Sequence, residues 1–128
     1  MFNPNHLHLL VKGNLSNPPR EESVLNEWFV NLVDKVRMVV VAGPTSVYVN
    51  EPGNEGITGT VTLATSHASI HIWDKQDPSM FQFDIYSCSD FNTNEVLSHL
   101  DENFGLISYQ YMFIDRNDGF KIKEVGKK

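Results

Sequence analysis

One cysteine, Cys88, stands in a chain of 128 residues, so no internal disulfide can brace it. Long apolar runs are missing too. Nothing approaches the ~20 residues of a membrane-spanning helix, and Met1-Phe2-Asn3-Pro4 does not open a secretory leader. Positive charge is scarce: Lys and Arg number 10 against 16 Asp and Glu, for a net charge of −6. That balance argues against nucleic acid or an anionic membrane as the main partner. The one basic segment is the short tail from Lys121 to Lys128. Repeats, low-complexity stretches and interdomain linkers are also absent, so 1–128 reads as a single domain. What remains is 41% hydrophobic and 20% charged, enough to build one core. The expectation is a cytoplasmic globular protein, with Cys88 either a buried inert thiol or a reactive one.

The apolar residues recur with two periods. His6 to Lys12 is β-compatible and stops at the turn signal Gly13-Asn14. Acidic Glu21-Glu22 opens a helix in which Leu25, Trp28, Phe29, Leu32 and Val36 share one face. Met38 to Ala42 reads as a buried strand ending at Gly43-Pro44, and Thr45 to Asn50 as more strand. After the loop Glu51–Gly56, Ile57, Gly59, Val61 and Leu63 alternate with Thr58, Thr60, Thr62 and Ala64. His67 to Trp73 continues as strand. Phe81, Phe83 and Ile85 then oppose Gln82, Asp84, Tyr86 and Cys88. Asn92-Thr93-Asn94-Glu95 caps a second helix that ends near Gly105. Leu106 to Ile114 alternates again, with Ile107, Tyr109, Tyr111 and Phe113 on one side. The order β-α-β-β-β-β-α-β predicts an α+β two-layer sandwich, its mostly antiparallel sheet carrying two helices on one face. The other face keeps Thr58, Thr60, Thr62, Gln82, Tyr86 and Cys88, and is either solvated or closed by another subunit around a site.

Reactive side chains crowd between residues 65 and 90. Ser66-His67-Ala68-Ser69-Ile70-His71 holds two hydroxyls and two imidazoles, and Cys88 lies on the next strand. His67 and His71 share a strand face but sit roughly 13 Å apart, too far to grip one metal ion. His6 and His8 are same-face neighbours that no third ligand completes, so no metal is assigned. A Ser-His hydrolase dyad is disfavoured, because Ser66 lacks the Gly-x-Ser-x-Gly elbow and no acid orients either imidazole.

Thr65-Ser66-His67-Ala68-Ser69-Ile70-His71-Ile72-Trp73 resembles the S-adenosylmethionine decarboxylase signature, Glu-Ser-His-aliphatic-Ser/Thr-Ile-His-Thr-Trp-Pro-Glu. Asp84-Ile85-Tyr86-Ser87-Cys88-Ser89-Asp90 is similar to that family's Asp-aliphatic-Phe-Thr-Cys-Gly-Asp. Gly56-Ile57-Thr58-Gly59 is similar to its Gly-Val-Ser-Gly turn. The resemblance implies a chain that cuts itself between Thr65 and Ser66. The serine hydroxyl attacks the preceding carbonyl, an N-to-O shift makes an ester, and β-elimination leaves a pyruvoyl group at residue 66. That group would form a Schiff base with the substrate amine and accept electrons as carbon dioxide leaves, as pyridoxal phosphate does. By the same resemblance Thr58 supports the oxyanion, His71 drives elimination, and Cys88 reprotonates the substrate's α-carbon. A homodimer with sites near the subunit boundary and a role in polyamine (spermidine) synthesis are implied as well.

The substrate set departs further from the family than the catalytic set does. Thr65 replaces a glutamate, Asp74 a proline, and Lys75 the glutamate expected to hold the ribose of S-adenosylmethionine. A lysine cannot accept those hydrogen bonds. Tyr48 is the nearest aromatic candidate to stack on adenine, with His67 and Trp73 as further substrate-contact candidates. Two other functions stay open: a pyruvoyl decarboxylase of another amino acid, and a non-cleaving relative that binds a ligand or partner enzyme. Because Ser66 and His71 differ in strand parity, they belong to opposite faces unless the backbone breaks near the cleavage bond.

Overall fold

A computed structural model describes residues 5–128; Met1 to Pro4, where the leader was sought, lie outside the described residues. Seven strands and two helices follow in the order β1 (Leu7–Leu15), α1 (Glu22–Lys35), β2 (Val40–Val49), β3 (Gly56–Leu63), β4 (Ser66–Trp73), β5 (Ser79–Ser87), α2 (Thr93–Phe104), β6 (Leu106–Asp115) and β7 (Lys121–Lys127). They build one sheet in the order β2-β3-β4-β5-β1-β6-β7. Every pairing is antiparallel. This is the α+β sandwich that the alternation predicts.

One face of the sheet carries the core. Leu7, Leu9 and Val11 of β1, Ile57, Val61 and Leu63 of β3, Ala68, Ile70 and Ile72 of β4, and Phe81, Phe83 and Ile85 of β5 are all buried. Onto them α1 lays Leu25, Trp28, Phe29, Leu32 and Val33, and α2 lays Val96, Leu97, Leu100 and Phe104. Each such side chain contributes about 1.5–3 kcal/mol by leaving water. Gly59 allows the close seating of α1, since a Cβ there would meet Leu25 and Phe29 at 2.8 Å. The second helix is framed as its sequence predicts. The Asn92 side chain accepts a bond from the Asn94 N–H at 2.8 Å, and Gly105 closes the helix in the left-handed region at φ 67°.

Three sequence readings need correction. Met38 to Ala42 is not a buried strand: residues 40–49 form a single edge strand, interrupted by register shifts, in which Val41 is exposed, as is Val39 just before it. Ile107 leaves the side of Tyr109 and Phe113, because a bulge opposite Asn14 and Leu15 puts Leu106 in the core instead. The basic tail is β7, paired with β6 along its length.

Candidate active site

The Thr65–Ser66 bond, the cleavage site that the motif resemblance suggests, lies at the tight corner between β3 and β4. Ala64 and Thr65 form the turn, and Ser66 begins β4 opposite Leu63 on one side and Ser87 on the other. Parity with Ala68, Ile70 and Ile72 puts Ser66 on the helix-covered face. Its Oγ is buried and makes no hydrogen bond. The neighbouring groups are all engaged. The Thr65 carbonyl accepts the Cys88 backbone N–H at 3.1 Å, and the Thr65 hydroxyl accepts the Ser87 hydroxyl at 3.1 Å. Cys88 is half-buried, one residue past β5, and its carbonyl accepts the Asn5 N–H at 3.0 Å. A buried hydroxyl without a partner costs about 1–3 kcal/mol. Here that hydroxyl sits beside the carbonyl of its own preceding residue, with a donor already aimed at the carbonyl oxygen.

Thr58 and His71 lie elsewhere. They are register partners on β3 and β4, and Thr58 Oγ1 shares a hydrogen with His71 Nδ1 at 3.1 Å. Both project from the face that no helix covers. His71 stacks on Trp73 at 6.2 Å, and the Trp73 indole N–H donates to Asn54 at 2.8 Å. The expected break in β4 is not there: the strand runs regularly from Ser66 to Trp73. Five strand residues at opposite parity put the Ser66 and His71 backbones roughly 16 Å apart, with side chains on opposite faces. An open groove of about 730 Å³ crosses this second face past His71, lined also by Leu10, Lys12, Gln82, Met112 and Lys127. Neither Ser66 nor Cys88 borders it.

The remaining candidates divide as well. His67 is exposed on the open face, its ring 5.9 Å from Tyr86. Lys75 is exposed in the turn after β4. Tyr48 packs partly against the core, and its hydroxyl donates to Asp74 at 2.9 Å. Burial first, and Asp74 second, push the Tyr48 phenol above its ordinary pKa. The buried Asp74 carboxylate also takes the Arg20 Nε–H at 3.0 Å, so the residue in the proline position anchors α1's approach. Tyr48 is therefore spent on structure, away from His71.

Sequence reasoning missed two clusters. On the open face Asp84 accepts from Ser69 at 2.6 Å and pairs with His8 Nε2 at 2.9 Å. The His8 bond foremost holds its carboxyl below the usual range, although partial burial opposes this. Arg116 lies 4.3 Å above the Tyr86 ring beside them. The second cluster is Ser87 and Ser89 beside the cleavage bond, where the Ser89 N–H and hydroxyl both reach Ser87 Oγ at 3.0 Å. Their sequence signal was their place on either side of Cys88.

The antiparallel sheet with both helices on one face fits a single α+β sandwich, and sequence comparison shows which family it belongs to. The S-adenosylmethionine decarboxylase family matches residues 8–117, a span that contains Thr58, Ser66, His71 and Cys88. The chain is similar to the S-adenosylmethionine decarboxylase proenzyme of Archaeoglobus fulgidus, 33% identical over 97 residues, covering 75% of this chain and 81% of that one. The chain belongs to the S-adenosylmethionine decarboxylase family.

Proposed function

We propose that the protein is a pyruvoyl-dependent S-adenosylmethionine decarboxylase, made as a proenzyme that cuts itself between Thr65 and Ser66 and supplies the aminopropyl donor for spermidine synthesis. The observation that carries this reading is the buried, unpartnered Ser66 hydroxyl beside a carbonyl held by the Cys88 N–H. That environment fits a pyruvoyl precursor: the nucleophile has nothing to let go of, and the developing oxyanion finds a donor in place. The acyl shift joins Ser66 Oγ to the Thr65 carbonyl carbon and frees the Ser66 nitrogen. Elimination then removes the Ser66 α-proton and expels the Thr65 carboxylate. Water hydrolyses the resulting dehydroalanine, through its imine, to the pyruvoyl carbonyl, releasing the Ser66 nitrogen as ammonia. When present, the pyruvoyl group takes the substrate's amine and draws electrons from the carbon that loses carbon dioxide. Cys88 Sγ returns a proton to that carbon.

His71 is the base for elimination and Thr58, bonded to it, the further support for the oxyanion, yet both face away from Ser66 in the same chain. We therefore infer a homodimer in which Thr58 and His71 of one copy serve Ser66 and Cys88 of the other. The exposed Leu10, Met112, Ile122 and Val125 on the open face supply apolar surface for such a pairing, in which the partner's open face reaches Ser66 around the end of β4, where that strand begins. Lys75 favours a second reading of the substrate alone. It is exposed where the family pattern has a ribose-holding glutamate, which suits a pyruvoyl decarboxylase of a different amino acid.

Intact mass and carbon dioxide release test the proposal together. Purified protein is expected as two pieces, one ending at Thr65 and one blocked at residue 66, while Ser66→Ala stays whole. Carboxyl-labelled S-adenosylmethionine should release labelled carbon dioxide. An uncut chain after long incubation at neutral pH would remove the pyruvoyl mechanism. Cleavage with release only from another amino acid would transfer the proposal to that substrate.

A further inference from the structure

Ser87 has no part in the roles assigned so far, yet it faces Ser66 directly across the β4–β5 ladder. It is fully buried, at 0% exposure. A hydroxyl has one hydrogen to give and two lone pairs to fill. Ser87 Oγ uses all three: it donates to Thr65 Oγ1 at 3.1 Å and accepts both the Ser89 N–H and the Ser89 hydroxyl at 3.0 Å. The bond from Ser89 N–H back to Ser87 Oγ is the side-chain turn that serines form with the backbone two residues on. It bends the chain at Cys88, and the Cys88 N–H at that bend points at the Thr65 carbonyl.

Thr65 is thus held twice by the segment 87–89, through its hydroxyl by Ser87 and through its carbonyl by Cys88. Among the hydroxyls of this corner, Ser66 is the one left without a partner. All three residues in the hydroxyl chain stand where the family pattern has something else: Thr65 for a glutamate, Ser87 for a threonine, which also carries a hydroxyl, and Ser89 for a glycine. A glycine at 89 could not offer its hydroxyl to Ser87.

We propose that Ser87 is a positioning residue for self-cleavage, locking the Thr65 carbonyl onto the Cys88 N–H with the help of Ser89. The inference rests on the self-cleavage reading above. Its step is the acyl shift: the bond from Ser66 Oγ to the Thr65 carbonyl carbon forms, and the Thr65–Ser66 C–N bond breaks. The hydroxyl proton ends on the departing Ser66 nitrogen, so no other reactant is consumed. Ser87 touches no reacting atom. It acts by holding the carbonyl oxygen where the Cys88 N–H can meet the developing charge.

The test follows newly synthesised full-length chains over time on a denaturing gel, with and without hydroxylamine, which cuts esters. Ser87→Ala should slow cleavage about ten- to a hundredfold, the range expected when a reacting group is misplaced. Hydroxylamine should not restore the rate, because the ester itself forms slowly. His71→Ala should behave oppositely, accumulating ester that hydroxylamine cuts. Ser87→Thr, which keeps the hydroxyl, should cleave near the wild-type rate. Should Ser87→Ala fail to fold, Ser89→Ala removes one anchor at a half-buried site and should slow cleavage several-fold. Wild-type rates in Ser87→Ala, or in Ser89→Ala where the former does not fold, overturn the positioning role alone. Hydroxylamine-cut ester building up in Ser87→Ala overturns it as well. A wild-type chain that never cleaves overturns the self-cleavage reading and this role with it.

Discussion

Leu9 and Leu10 are neighbours on β1, yet one is wholly buried and the other is 40% exposed. The same split runs through the whole sheet. The helix-covered face is dry and packed, while the open face presents Thr58, His67, His71, Gln82 and Tyr86 in rows. The candidate site residues are divided by the same alternation. Ser66 belongs to the covered side at the sheet's corner, and His71, five residues on, belongs to the open side. A regular strand cannot bring them together, so the division itself argues for a second copy. Under the proposed function, the strand parity that makes the fold would also call for a paired assembly.

The largest expected effect tests the packing side of this contrast. Leu9→Ala should cost about 2–5 kcal/mol of stability, because the cavity it leaves is walled by core on all sides. Leu10→Ala should cost under about 1 kcal/mol in dilute, monomeric protein, and should instead weaken self-association. Denaturant melts at two protein concentrations distinguish the two. Equal losses at both positions would break the comparison.

A smaller effect concerns pH. His99 lies buried between the helices, with Nε2 against the Trp28 carbonyl at 3.0 Å and Nδ1 facing the Asn103 amide at 3.3 Å. A carbonyl only accepts, so Nε2 carries the hydrogen and Nδ1 takes one from Asn103. Asn103 cannot turn round without losing its 2.8 Å bond to the His99 carbonyl. Protonation would therefore set two donors against each other, and burial foremost pushes the His99 pKa below its ordinary 6.5. The unfolded chain binds this proton first. Stability should hold above about pH 6.5 and fall as pH drops through that value toward the lower folded-state pKa. His99→Gln should flatten this limb in thermal melts taken from pH 7.5 to 5. An unchanged slope would mean that other groups set the acid sensitivity.

How much of this was legible depended on regular alternation. From Ile57 to Ile85 the apolar residues fall at every second position, and there the predicted faces and the observed ones agree. Where a bulge adds a residue, the period breaks. Ile122 and Val125 are three apart, which reads as no strand at all. A register shift beside Phe113 and Ile114 brings both to the open face, opposite Ile114 and Met112. Val40–Val49 misled in another way: its valines look like core, but an edge strand leaves Val41 and Val47 in solvent. Of the candidate site, motif resemblance picked out Thr58, Ser66, His71 and Cys88, and the pairing of Thr58 with His71 follows from register. Ser87 was not, because its role depends on meeting residues 65 and 89 at once, a fact of cross-strand register that no linear motif carries.

Complementation between two disabled chains tests most directly the claim that each copy holds half of the chemistry. Ser66→Ala keeps Thr58 and His71 but has no hydroxyl to attack with. His71→Ala keeps Ser66 and Cys88 but should stop at the ester. Expressed separately, neither should yield a fragment blocked at residue 66. Expressed together, the His71→Ala chain should mature to that fragment, which intact mass identifies, because the partner's His71 drives its elimination. The account is contradicted if the His71→Ala chain matures on its own at the wild-type rate. It is equally contradicted if that chain stays unprocessed in the mixture while the wild-type protein cleaves.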